Sequence, residues 1–120
     1  MSRMVHPDRT PVLLRTAPVF RSEALRRAVS LLPCQRCGLW NHTQAAHANL
    51  AALGKGGALK ASDAALMALC ATRPGDVGCH VRLDQLIGMT AAQAEDNTYR
   101  WIASTYMALI EAGTLKVAKC

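Results

Sequence analysis

Leu25, Val29 and Leu32 recur at helical spacing behind Ser22, and the pattern predicts a helix from Glu23 to Leu32 that Pro33 ends. Arg26 and Arg27 fall off its apolar stripe, and the helix is expected simply to pack over the cysteine-bearing segment that begins at Cys34. Leu39 to His47 reads as a short strand, with Asn41, Thr43, Ala45 and His47 on one face and Trp40, His42, Gln44 and Ala46 on the other. Residues 48–62 read as a loop built around Gly54-Lys55-Gly56-Gly57. Ala64 to Cys70 is assigned to a second strand, although Ala-Ala-Leu-Met-Ala-Leu has an intrinsic helix preference. A turn at Arg73-Pro-Gly-Asp76 leads to a short helix from Cys79 to about Ile87, stopped by Gly88. Thr90-Ala-Ala-Gln93 is a capping-box pattern that opens a last helix running to Ala112. Its buried face is expected to be Tyr99, Ile102, Ala103, Tyr106, Leu109 and Ile110, with Gly113 as the cap. The tail, Thr114 to Cys120, is expected to be frayed or a short edge strand.

The order strand, strand, helix between two flanking helices defines an α+β class. Pro7, Pro11 and Pro18 interrupt residues 1–21, which read as an extended basic arm ahead of a domain at 22–117. The chain has 120 residues, enough for one domain with a modest core, and few aromatic side chains to fill it. A small aliphatic core of this kind is commonly stapled by a disulfide or a metal. The apolar runs are too short to span a membrane, so no membrane partner is expected. The N-terminus lacks the apolar region of a secretory signal, which points to a reducing cytoplasm. The formal charge of +6 is concentrated in arginines ahead of Cys34 and suits a polyanion such as nucleic acid.

The candidate chemistry lies between Cys34 and Asp84. Cys34-x-x-Cys37-Gly38 has zinc-knuckle spacing, with glycine where a positive φ is wanted. Cys70 and Cys79 form a second, wider pair that Pro74-Gly75 allows to double back, giving a tetrahedral four-cysteine site for structural Zn²⁺. The alternative for Cys70 is a small buried hydrophobe ending a strand. Cys120 is a lone terminal thiol with no assigned role. His80 and Asp84 lie four apart on a helix and project from one face, as a divalent-metal pair or as a surface pair near the helix N-terminus. The glycine loop lacks the spacing of a phosphate-binding P-loop.

Together, the knuckle, Ala46-His47, the glycine loop, Lys60-Ala-Ser-Asp63, Cys70 and Cys79-His80-x-x-x-Asp84 resemble the HNH (ββα-metal) endonucleases. More narrowly, they resemble a family of small prophage-encoded HNH nucleases, whose last helix ends in a turn like Leu109-Ile-Glu-Ala-Gly113. The resemblance covers roughly Cys34 to Val117 and implies a metal-dependent hydrolase acting on DNA in the cytoplasm of a bacterial host cell. It makes His47 the general base, with Asp63 bonding backbone across the hairpin to fix it. His80 and Asp84 become ligands of a catalytic Mg²⁺, Mn²⁺ or Zn²⁺, and Arg36, Asn49, Lys55 and Lys60 become nucleic-acid contacts. The chain departs from the pattern at Ala46, where many relatives carry a metal-binding Asp or His, and in the eight residues between Cys70 and Cys79. The first departure leaves His47 open as base or ligand, and keeps open a DNA-binding module of the same fold without cleavage.

Overall fold

The computed structural model describes residues 19–50 and 61–118. Among these, the elements run α1 (Glu23–Ser30), β1 (Thr43–His47), β2 (Leu66–Cys70), α2 (Gly78–Asp84) and α3 (Ala91–Glu111). The predicted α+β class holds. Lys55, Lys60, Cys120 and most of the N-terminal arm lie outside the described residues.

β1 and β2 form an antiparallel hairpin, with Thr43 opposite Cys70 and His47 opposite Leu66. β2 is Leu-Met-Ala-Leu-Cys, and every residue in it is buried. Met67 and Leu69 point into a cluster with Ala46, Cys79, Leu83, Ala94 and Trp101. Leu66 and Ala68 point the other way, to Val29 of α1 and Leu109 of α3. A strand covered on both faces has no use for alternation, which is why its sequence reads as a continuous apolar run. Burial on both sides outweighs the helix preference of Ala, Leu and Met.

The outer edge of β2 is closed by α3. Thr105 Oγ1 accepts a hydrogen bond from the Ala68 amide at 3.0 Å and donates to the Trp101 carbonyl at 2.7 Å. On the same edge, the Gln35 amide donates to the Ala68 carbonyl at 2.8 Å. Both polar backbone groups of Ala68 are therefore paired away from β1.

The structure corrects several boundaries and one face. β1 starts at Thr43 rather than Leu39, because Asn41 takes a φ of 73° and breaks the extended chain. Just before it, the Leu39 carbonyl closes the knuckle by accepting from the Cys34 amide. α1 ends at Ser30, two residues early, and α2 starts at Gly78 and ends at Asp84, before Leu86 with its φ of 55°. The buried stripe of α3 is Ala94, Thr98, Trp101, Thr105 and Leu109. Of the predicted face only Leu109 is fully buried, Ile102 and Tyr106 are half-buried, and Tyr99, Ala103 and Ile110 are exposed. Thr98 and Thr105 disguise the stripe: each hydroxyl bonds a carbonyl one turn back, so a polar residue can face the core. The capping box at Thr90 and Gln93 forms as expected. After α3 the chain turns without forming a strand through residue 118, and Leu115 packs toward the Val29 cluster. Among the described residues no helix is long and apolar enough to cross a membrane.

Candidate functional site

The knuckle, the end of β2 and the first turn of α2 converge on one point. The sulfurs of Cys34, Cys37, Cys70 and Cys79 all lie within 4.8 Å of one another, and none is in a disulfide. Cys37 and Cys70 sulfurs are 3.8 Å apart. Zinc–sulfur bonds of about 2.3 Å in a tetrahedron put neighbouring sulfurs about 3.8 Å apart, whereas a disulfide needs about 2.05 Å. The chemistry and spacing of the donors thus fit a four-thiolate Zn²⁺ site. Cys34, Cys70 and Cys79 are buried and Cys37 is exposed.

The knuckle turns on Gly38, whose φ of 81° is the positive value its place in the motif predicts. Closing the wider pair depends on a residue that sequence spacing does not single out. Gly78 has a φ of 87°, and a Cβ there would lie 2.6 Å from the carbonyl carbon and oxygen of Ala71. Only glycine lets α2 start this close to the end of β2. The Cys79 amide then donates to the Cys70 sulfur at 3.3 Å. Asp76 holds the loop shut, accepting from the Gly78 amide at 2.8 Å, from Arg82 at 2.6 Å and from Arg73 at 3.3 Å.

The sulfurs differ in acidity. Burial alone would raise the Cys70 thiol, but the Cys79 amide and the Arg73 guanidinium bring it down to about 7. Burial dominates at Cys79 and pushes it up to about 12, despite the Arg36 guanidinium 3.4 Å from its sulfur. Cys37 is raised as well, by desolvation of its sulfur against the cluster although the residue as a whole is exposed. Arg36, expected on nucleic acid, is exposed and has one nitrogen turned back onto the cluster.

On the other side of the hairpin, His47 ends β1 with Nε2 2.6 Å from Asp63 Oδ1. Asp63 has no exposed surface, yet both of its oxygens are satisfied. Oδ1 also accepts from Arg21 at 3.2 Å, and Oδ2 accepts from the Ser22 amide at 2.8 Å and from Arg26. Burial pushes this carboxyl up, but the Ser22 amide, His47 and Arg26 together hold it at about 2. The expected bond from Asp63 to backbone across the hairpin is replaced by a direct bond to the His47 imidazole, and its backbone partner is the N-cap of α1. Arg21, Ser22 and Arg26 are therefore site residues that sequence spacing does not reveal, since the pattern of α1 indicates packing alone.

His80 and Asp84 do share a face of α2, with His80 Nε2 3.5 Å from Asp84 Oδ2. His80 Nδ1 faces Gln44 Oε1 of β1 at 2.8 Å. Asn49, expected at a phosphate, has its amide 3.3 Å from Asp84 Oδ1. His47, Asn49 and Asp84 line one groove of about 260 Å³, walled by Leu50, Leu83 and the first turns of α3. His80 is not part of that lining. Apart from the four cysteines, the described residues hold no group of three or more His, Cys, Asp or Glu ligand atoms close enough to share an ion. Ala46, 1% exposed, is packed in the core with Leu83 and offers no ligand atom to His80 and Asp84.

Fold and site define a small α+β protein with a two-stranded sheet and four close cysteines able to hold a metal ion such as zinc. No protein-family model, curated protein or solved structure matches the chain.

Proposed function

We propose that this protein is a metal-dependent HNH (ββα-metal) endonuclease that hydrolyses DNA phosphodiester bonds, of phage or prophage origin. The observation that carries the reading is the groove, where His47, pinned from behind by Asp63, and Asp84 of α2 line one cleft. Strand, strand and helix follow in the order of the ββα core, and the four-thiolate site ties the hairpin to the helix.

In this reading Asp63 occupies Nε2 of His47 and leaves Nδ1 as the basic atom. A neutral imidazole there accepts a proton from water as the water oxygen bonds to phosphorus. The phosphorus–O3′ bond breaks, and the leaving oxygen is protonated from solvent, giving a 5′-phosphate and a 3′-hydroxyl. His80 and Asp84, adjacent on one face of α2, would hold Mg²⁺, Mn²⁺ or Zn²⁺. When bound, such an ion stabilises charge on the phosphate and the leaving oxygen. The net charge of +6 favours the approach of a polyanion.

A second reading, a zinc-stabilised DNA-binding module without cleavage, is favoured by the burial of Ala46, which leaves the His80–Asp84 pair with two protein side chains. Plasmid nicking in Mg²⁺ or Mn²⁺ separates the two. The nuclease reading expects metal-dependent nicking that His47→Ala abolishes. Salt-sensitive DNA binding with no nicking in any divalent metal assigns the module instead, and nicking that survives His47→Ala removes His47 from the mechanism.

A further inference from the structure

The buried carboxylate behind His47 is held more firmly than the imidazole alone requires. One imidazole, two guanidinium groups and the Ser22 amide converge on its two oxygens. The amide comes from the N-cap of α1, and the guanidinium groups come from Arg21, just ahead of that cap, and Arg26, on the second turn. Arg21 also donates to the Ala61 carbonyl at 2.7 Å, and the Asp63 amide donates to the Phe20 carbonyl at 3.1 Å. Residues 20–26 and 61–63 are thus laced together in both directions. Neither arginine lines the groove that His47 and Asp84 share.

We propose that Arg21 and Arg26 are positioning residues for His47, acting through the carboxylate of Asp63. A carboxylate bonded only to one imidazole is free to rotate about its Cβ–Cγ bond and take up water. The imidazole would then exchange between its two neutral tautomers and swing within its groove. With the two guanidinium groups and the amide filling the remaining lone pairs, Oδ1 stays aimed at Nε2. The proton is then kept on Nε2, and Nδ1 stays bare to accept one. The segment from Arg21 to Arg26, which carries no groove residue, thereby sets the orientation of the histidine.

This inference rests on the nuclease reading for its effect on rate, but its structural half is measured without cleavage. In the zinc-loaded full chain, ¹⁵N NMR above the imidazole pKa should show His47 as a single Nε2–H tautomer. Arg21→Gln combined with Arg26→Gln should give a mixture of tautomers and lower kcat by about 10- to 100-fold, with KM little changed. Arg27→Gln serves as the control, because Arg27 pairs with Glu23 on the exposed side of the same helix. It should leave the tautomer as in the wild type. Should the double variant not fold, Arg26→Gln alone decides by the same two readouts, since it removes the guanidinium on Oδ2 and leaves Arg21 in place. A wild-type His47 protonated on Nδ1, or a folded variant with an unchanged tautomer, overturns the proposal. A shifted tautomer in a protein that cleaves no DNA supports the positioning role and removes the nuclease reading.

Discussion

Replacing Asp63 with asparagine isolates the charge at the centre of the α1–hairpin junction. The carboxyl is fully buried and its pKa is drawn from 3.8 to about 2. A lowering of that size stabilises the folded state by about 2 kcal/mol near neutral pH. The partners keep the loss close to this figure. The side chains of Arg21 and Arg26 are 40% and 38% exposed and can recover water once the carboxylate is gone. Breaking a fully buried ion pair would cost about 3–5 kcal/mol. Because the folded-state pKa is depressed, the contribution is complete above about 3.8 and is lost as pH falls toward about 2. Urea unfolding of zinc-loaded wild type and Asp63→Asn, followed through Trp101 in the core, should give a gap of about 2 kcal/mol at neutral pH. The gap should narrow as pH drops below about 4. Equal stabilities at neutral pH, within about 0.5 kcal/mol, would refute the assignment of Asp63 as the electrostatic anchor of α1.

Four further outcomes are expected from the same geometry. Mass spectrometry under native conditions should find one zinc per chain, and Cys34→Ser or Cys79→Ser should lose it; full occupancy in either variant would contradict a four-thiolate site. Zinc retention should fall as the solution is acidified, because the raised Cys79 and Cys37 thiols must give up protons to bind, and pH-independent retention would count against thiolate ligation. Gly78→Ala should destabilise the zinc-loaded protein by more than about 1 kcal/mol, since its Cβ meets the Ala71 backbone, and an unchanged midpoint would show that the loop does not close as described. Thr105→Val should cost about 1–3 kcal/mol by leaving the Ala68 amide buried and unpaired, a loss that Thr105→Ser should largely restore.

Much of this architecture is legible from spacing because its signals are local. The knuckle glycine, the capping box at Thr90 and the alternation Thr43, Ala45, His47 each state a backbone requirement within a few residues. The meeting of Cys70 and Cys79 is legible too, although spacing credits the turn to Pro74-Gly75, whereas Gly78 makes the closest approach to Ala71. The buried face of α3 is misread because periodicity counts apolar residues. Here two threonines turn inward with their hydroxyls bonded to the helix itself, while Tyr99 and Ile110 turn outward. The Arg21–Arg26–Asp63 junction carries no local signal at all. Its members lie about forty positions apart in the sequence, and an arginine off an apolar stripe normally faces solvent. Only the fold tells these two apart from Arg27, one residue further along and paired with Glu23 in the open.

Cys79 and His80 are neighbours on the first turn of α2. One grips the buried thiolate cluster and the other stands beside Asp84 at the surface. An ion gripped by the four sulfurs would make the helix a balance arm pivoting at Cys79, and losing that ion is expected to shift Asp84 relative to the cleft. On that expectation a chelator strong enough to reach the thiolates would disturb both ends together. A cation beside His80, as the proposed function requires, would be best sought by swapping loosely held metals while any ion on the sulfurs stays in place.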